Sequence, residues 1–177
     1  MPVWPHQSNM NSFYGNPDKN RDGRPDPDWV AANIIQFKPP YTLYYPLEKI
    51  VNGRKTLIKR QQQFKTLSFH KKAADSLIRC LSEIPKQFSP QEIEKYELDI
   101  CGGTFVFRLM RNGRSLSIHS WGSAIDLSHL INWYGRKYDP NVGMMPIKVI
   151  KIFEAEGWVS GYKWKTGDSM HFQAAKV

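Results

Sequence analysis

His119 and Asp126 stand seven residues apart in Ser117-Ile118-His119-Ser120-Trp121-Gly122-Ser123-Ala124-Ile125-Asp126, and Asp168 precedes His171 by three in Asp168-Ser169-Met170-His171. Two imidazoles and two carboxylates are the inventory of a catalytic zinc centre. Three serve as ligands, one coordination position stays open, and the spare carboxylate handles protons. A flat strand sends residues seven apart to opposite faces. His119 and Asp126 therefore converge only if the chain bends between them, and Gly122 is where a bend costs least. Ala124 is small enough for the backbone to pass close to another element. Asp126 falls in Ala124-Ile125-Asp126-Leu127, which reads as a core strand, so its carboxylate needs a buried partner and a metal ion supplies one. His171 falls in a second strand, Met170-His171-Phe172-Gln173. Asp168 stands at its loop edge, an offset that suits a proton carrier beside a metal it does not bind.

The surrounding pattern must position these groups. Residues 1–45 are rich in Pro, Asn, Asp and aromatics. They read as an irregular arm packed on the rest through Trp4, Phe13, Tyr14 and Trp29. A helix begun by Trp29-Val30-Ala31-Ala32-Asn33-Ile34-Ile35 halts before Pro39-Pro40. Asn52-Gly53 predicts a hairpin turn within Lys49 to Lys59. Ala74, Leu77, Leu81 and Ile84 recur at spacings of three and four, predicting a helix over 71–84 that Pro85 ends. Ser89-Pro90-Gln91-Glu92 is a capping box with proline at the first helical position. Cys101-Gly102-Gly103 reads as a turn, and Thr104 to Leu109 as an alternating strand. Asn112-Gly113 predicts a second hairpin turn, followed by a strand carrying Leu116 and Ile118. Pro146 opens a second helix with Ile147, Ile150 and Phe153 on one face and Gly157 as its stop. The expected class is α+β: a small antiparallel sheet carrying the metal site, flanked by helices, with the arm, all within one domain over 1–177.

At 177 residues, 41% apolar and 13% aromatic, the chain has material for a packed core rather than a disordered segment. No apolar run is long enough to span a membrane, and the start, Met1-Pro2-Val3-Trp4-Pro5-His6, does not read as a secretory signal. Cys80 lies on the apolar face of the first long helix and reads as a buried thiol, while Cys101 has no assignable role. Lys plus Arg number 25 against 16 Asp plus Glu, a formal charge of +9 that favours an anionic partner. Nucleic acid and the anionic polymers of a bacterial cell wall are both candidates. The basic residues are scattered, and no nucleic-acid-binding motif accompanies them.

The pattern Ser117-x-His119-x-x-Gly122-x-Ala124-x-Asp126, followed by Asp168-x-x-His171-Phe172, resembles the motif pair of the M15 family of zinc peptidases. That family includes D-alanyl-D-alanine carboxypeptidases and dipeptidases and the L-alanyl-D-glutamate endopeptidases of phage endolysins. Trp4-Pro5, Phe13-Tyr14-Gly15, His70-Lys71-Lys72-Ala73 and Gly103-Thr104-Phe105 leading to Arg108 are similar to phage and prophage members. The resemblance implies one catalytic zinc held by His119, Asp126 and His171, with Asp168 as general base and acid. It also implies an upstream arginine at the oxyanion: Arg108 for its place in the expected strand, Arg111 as rival, Arg114 as the lesser candidate. Relatives often carry Trp-Gly-Gly between the two metal motifs. Here Trp158, Gly161 and Trp164 fit that element while Ser160 and Tyr162 depart from it, and Leu127-Ser128-His129-Leu130 is unusual.

The implied function is hydrolysis of the peptide stem of peptidoglycan by a monomer that needs neither nucleic acid nor membrane. It would be made in a host cytoplasm and released to the wall through a separately made pore. Two rivals stand beside it. A non-catalytic wall-binding module on the same fold would have lost a ligand or Asp168, and none is lost. A basic nucleic-acid-binding protein would need no stoichiometric metal. Among single residues, His129 reads as a surface or supporting histidine pointing away from Asp126, His70 as structural, and His6 carries no signal. Asp18, Asn20 and Asp22 imitate the start of a calcium loop, but Trp29 occupies the twelfth position, so a polar turn is the competing reading. Trp121 and Trp158 suit either substrate stacking or core packing.

Overall fold

The protein is described from a computed structural model, which covers residues 2–111, Gly113 and 115–177. After a short 3-10 turn the elements run α1 (Met10–Tyr14), α2 (Pro27–Asn33), β1 (Ile34–Phe37), β2 (Tyr44–Val51), β3 (Arg54–Gln63), β4 (Leu67–His70), α3 (Lys71–Gln87) and α4 (Pro90–Lys95). There follow β5 (Cys101–Gly103), β6 (Ala124–Leu127), α5 (Ile147–Ala155), β7 (Val159–Gly161) and β8 (Asp168–Gln173). The class is α+β. Among the described residues three antiparallel sheets form: β1 with β4, the β2–β3 hairpin, and a four-stranded sheet in the order β5-β6-β8-β7.

The apolar stripe of α3 is buried as its spacing requires. Ala74, Leu77, Cys80, Leu81 and Ile84 are fully enclosed, and each large aliphatic contributes about 1.5–3 kcal/mol through that burial. The expected stop at Pro85 is not observed, because α3 continues to Gln87. A proline removes one backbone donor, and here it sits within the last turn, where little helix remains to disrupt. The Phe88 N–H then closes the end on the Ile84 carbonyl at 3.0 Å. The capping box of α4 forms in both directions between Ser89 and Glu92. In the hairpin, Asn52 and Gly53 take φ of 51° and 74°, the positive values a tight two-residue turn demands, and its strands extend well beyond the expected limits. In α5 the buried positions are Val149, Ile150, Ile152 and Phe153, whereas Ile147 is exposed.

Four further expectations are corrected. Ile34 and Ile35 leave the helix: α2 ends at Asn33, and Ile34–Phe37 pairs with Leu67–His70. Cys101–Gly103 is strand β5 rather than a turn, bound to β6. Thr104 to Leu109 forms no strand; Leu109 makes one isolated bridge to Leu116, and the Arg108 backbone is held by the Ser120 hydroxyl instead. Ile118 belongs to a 3-10 turn, Ile118–Trp121, not to a strand. Gly113 closes a turn on the Met110 carbonyl at 2.8 Å, while Asn112 lies outside the described residues.

The N-terminal arm holds two short helices and is tied down by its aromatics. Trp4, Tyr14 and Trp29 are buried and Phe13 is half-buried. The Trp4 indole donates to the Glu156 carbonyl at 2.9 Å and the Tyr14 hydroxyl to the Ala174 carbonyl at 2.8 Å. Trp121 and Trp158 pack in the core, with indoles donating to the Gly15 carbonyl and the Ser76 hydroxyl. His70 joins arm to helix. Its Nδ1 accepts the Lys72 N–H at 3.1 Å as the cap of α3, and its Nε2–H donates to the Tyr14 carbonyl at 3.0 Å.

Both bonds use the neutral imidazole of His70, and burial pushes its pKa from 6.5 down to about 4. The native state then resists a proton that the unfolded chain accepts. Stability is whole above pH 6.5 and is lost as pH falls toward 4. Between pH 7 and 4.5 the wild type is expected to lose about 2 kcal/mol more than His70→Asn in urea unfolding; equal losses would remove His70 as the cause.

Candidate metal centre

The chain reverses direction between His119 and Asp126 as the seven-residue spacing requires. The 3-10 turn ends at Gly122, which adopts φ 62° and ψ 36°. A Cβ there would meet the His70 nitrogen at 3.0 Å and Ile34 Cδ1 at 2.8 Å, so glycine serves both the turn and the close approach. Asp126 lies in β6 and His171 in β8, and the two are direct cross-strand partners. Opposed residues of an antiparallel pair share a face, which brings the carboxylate and the imidazole together without help from loops.

Hydrogen bonds behind the site fix both tautomers. His119 Nδ1 lies 2.7 Å from the Thr104 carbonyl. A carbonyl only accepts, so Nδ1 carries the hydrogen and Nε2 keeps its lone pair. On the other ring, His171 Nε2 lies 3.0 Å from Gln173 Oε1, and the Gln173 amide nitrogen donates to the Ala175 carbonyl at 3.0 Å. The amide orientation is thereby set and His171 Nε2 carries a hydrogen, while Nδ1 faces Asp126. Burial lowers the His171 pKa, but the hydrogen bond and charge of Asp126 outweigh it, raise the imidazole pKa and favour a proton at the place a metal ion would take.

The inward atoms converge. His119 Nε2 lies 3.3 Å from His171 Nδ1 and 3.3 Å from Asp126 Oδ1, and His171 Nδ1 lies 3.0 Å from Asp126 Oδ1. Three lone-pair atoms this close need positive charge among them. A tetrahedral zinc at about 2.0–2.1 Å from its ligands has ligand-to-ligand edges of about 3.3–3.4 Å, and two nitrogens with one oxygen are an ordinary donor set for it. The residues present therefore fit a zinc ion. Burial alone would push the Asp126 carboxyl up, but with protonated imidazoles in the place of an ion the positive charge and hydrogen bonds of His119 and His171 outweigh it and hold the group well below the usual carboxylate range.

Asp168 opens β8 and is buried, and its Oδ1 has no hydrogen-bond partner among the described residues. Burial, reinforced by the charge of Asp126 and opposed by His171, pushes its carboxyl up to about 6. Gly161 across from it in β7 is needed for fit, because a Cβ there would come within 2.5 Å of the Asp168 carbonyl. Asp126, Asp168 and His171 border a cavity of about 300 Å³. Trp164 lies on its wall, with its ring 5.5 Å from that of His171.

Arg108 and Arg111 both line this cavity. The strand that favoured Arg108 is not formed. Arg111 lies 4.3 Å over the Tyr134 ring, and its charge acts on Asp168. Arg114 lies outside the described residues. His129 follows Ser128, whose φ of 54° ends the strand run; its Nε2 is 3.9 Å from Glu48, and it is not among the three converging groups. In the Asp18–Asp22 loop, Asp18 Oδ1 and Asn20 Oδ1 both accept the Asp22 N–H, as in a polar turn. Gln173, Thr104 and Tyr134 escaped the sequence reading. Only Gln173 left a trace there, two residues after His171 and so on the same strand face.

Because Gln173 sets the His171 tautomer, Gln173→Ala is expected to weaken zinc affinity about 10–100-fold with secondary structure intact. Competition against a chromogenic chelator reads this directly, and unchanged affinity would show that the amide does not orient the ligand.

Residues 111–174 match the family model described as D-alanyl-D-alanine carboxypeptidase, of the M15 peptidases. The interval holds His119, Asp126, Asp168 and His171 and leaves out the arm and the β2–β3 hairpin. No curated protein and no solved structure matches the chain. Over residues 111–174 the chain is thus similar to M15 peptidases of the D-alanyl-D-alanine carboxypeptidase kind, a family of metallopeptidases, and that segment supplies every atom of the converging cluster.

Proposed function

We propose that the protein is a zinc-dependent peptidase acting on the peptide stem of bacterial peptidoglycan. The observation that carries this is the convergence of His119 Nε2, Asp126 Oδ1 and His171 Nδ1 beside the buried carboxylate of Asp168, whose Oδ1 has no partner among the described residues. A zinc ion held by the three would polarise the scissile carbonyl and acidify a water, as zinc does in hydrolases. The chain's own groups do the rest. Asp168, ionised, accepts the proton of the attacking water and returns it to the leaving amine. Arg108 or Arg111 holds the oxyanion with a permanently charged, planar donor set. Trp164 narrows the cavity beside His171 and limits bulk water.

The formal charge of +9 would draw the enzyme to an anionic wall. No helix among the described residues is long and apolar enough to cross a membrane, which agrees with an enzyme that reaches the wall through a pore made by another protein, as a phage lysin does. A single catalytic chain suffices for this chemistry, and no calcium is required for it.

Incubation of the zinc-loaded protein with peptidoglycan should yield new amino termini by mass spectrometry, and the fragment masses identify the bond cut. Asp168→Asn should lower kcat by about 10²–10⁴-fold. Since the base must be ionised, kcat/KM of the wild type should fall as pH drops through the range in which Asp168, its carboxyl raised by burial, takes up a proton, and this limb should shift in the variant. Undiminished cleavage by Asp168→Asn would reject the assigned base.

The two arginines are separated by kcat. Loss of an oxyanion donor costs about 10²–10³-fold, so one of Arg108→Ala and Arg111→Ala should show that loss with little change in KM. Equal, small losses from both would remove the oxyanion role from this wall.

A further inference from the structure

A second cavity, of about 340 Å³, adjoins the first, and the two share Arg111, Tyr134 and Met170 as walls. Its outer side is the tip of the β2–β3 hairpin, at Gly53, Arg54 and Lys55, and Trp133 lies beneath. The charges here are arranged unevenly. Lys55 pairs with Glu48, which also lies 3.9 Å from His129, and Glu97 borders a neighbouring cavity with Arg54 without an ion pair to it among the described residues. Arg54 and Arg111 have no carboxylate partner among the described residues. Each guanidinium instead rests on an aromatic face, Arg54 at 4.8 Å over Trp133 and Arg111 at 4.3 Å over Tyr134. Stacking occupies the flat face of a guanidinium and leaves its edge donors free, which is the form in which arginine grips a carboxylate in two-point fashion.

We propose that this cleft is a subsite for a free carboxylate carried by the substrate peptide, with Arg54 as its donor and Arg111 on the wall it shares with the first cavity. The inference rests on reading the adjoining cavity as the peptidase site, and it deepens that reading by naming the substrate as acidic. It also assigns a task to the hairpin, which lies outside the family match over 111–174. The hairpin is well placed for the task because its root is fixed. The Tyr44 N–H donates to the Asp99 carbonyl at 2.7 Å, the Phe64 N–H to the Leu43 carbonyl at 2.8 Å, and Arg60 binds the Asp99 carboxylate.

The test uses two synthetic tripeptides, L-alanyl-γ-D-glutamyl-L-lysine with its glutamate α-carboxylate free, and the same peptide with that group amidated. Each is titrated calorimetrically into zinc-loaded Asp168→Asn protein, with and without Arg54→Gln. The free acid should bind about tenfold more tightly than the amide, and Arg54→Gln should erase that preference. Absence of a preference, or a preference that survives Arg54→Gln with an unchanged unfolding midpoint, overturns the proposal. Binding is read as heat and cleavage as fragment mass, so this subsite and the peptidase reading fail independently.

Discussion

Three electron-rich atoms held within 3.0–3.3 Å of one another are the constraint on which the site depends. Two imidazole nitrogens and a carboxylate oxygen this close need positive charge among them, as protons or as a metal ion. The Thr104 carbonyl and the Gln173 amide orient both rings so that His119 Nε2 and His171 Nδ1 face inward. The fold thus gathers its donors where a divalent ion would sit, and the ion would in turn join the two halves of the motif.

Everything else near the site serves that arrangement. Cross-strand pairing of β6 with β8 supplies Asp126 and His171, while the left-handed Gly122 lets the preceding turn swing His119 over the same face. Behind them, Phe172 and Phe153 stack at 4.1 Å and seat β8 on α5. The arm closes the far side through Tyr14, Trp29 and His70. Gly161 lets β7 approach β8 closely at Asp168, which borders the cavity.

The parts legible in the sequence were those with local causes. The α3 stripe, the α4 capping box, the Asn52-Gly53 turn and the Asp126 and His171 strands all declare themselves within a few residues. Readings failed where a distant partner decides the outcome. Ile34–Phe37 is a strand because Leu67–His70 lies beside it, and its short apolar run alone fits a helix equally well. Thr104–Leu109 alternates like a strand, but the Ser120 hydroxyl takes the Arg108 N–H and shares the Arg108 carbonyl with the Ser117 N–H, so no regular ladder forms. The roles of Thr104 and Gln173 were invisible because a backbone carbonyl has no residue signature and a glutamine has many uses. His119, Asp126, Asp168 and His171 stood out because their residue types are rare in cores and were met at a spacing shared with the M15 pattern.

X-ray absorption of the zinc-loaded protein tests the central claim most directly. The account predicts one zinc per chain with two imidazole nitrogens and one carboxylate oxygen at about 2.0–2.1 Å, completed by a light-atom solvent ligand. No stoichiometric zinc, or a sulfur scatterer at about 2.3 Å from Cys101, would contradict it.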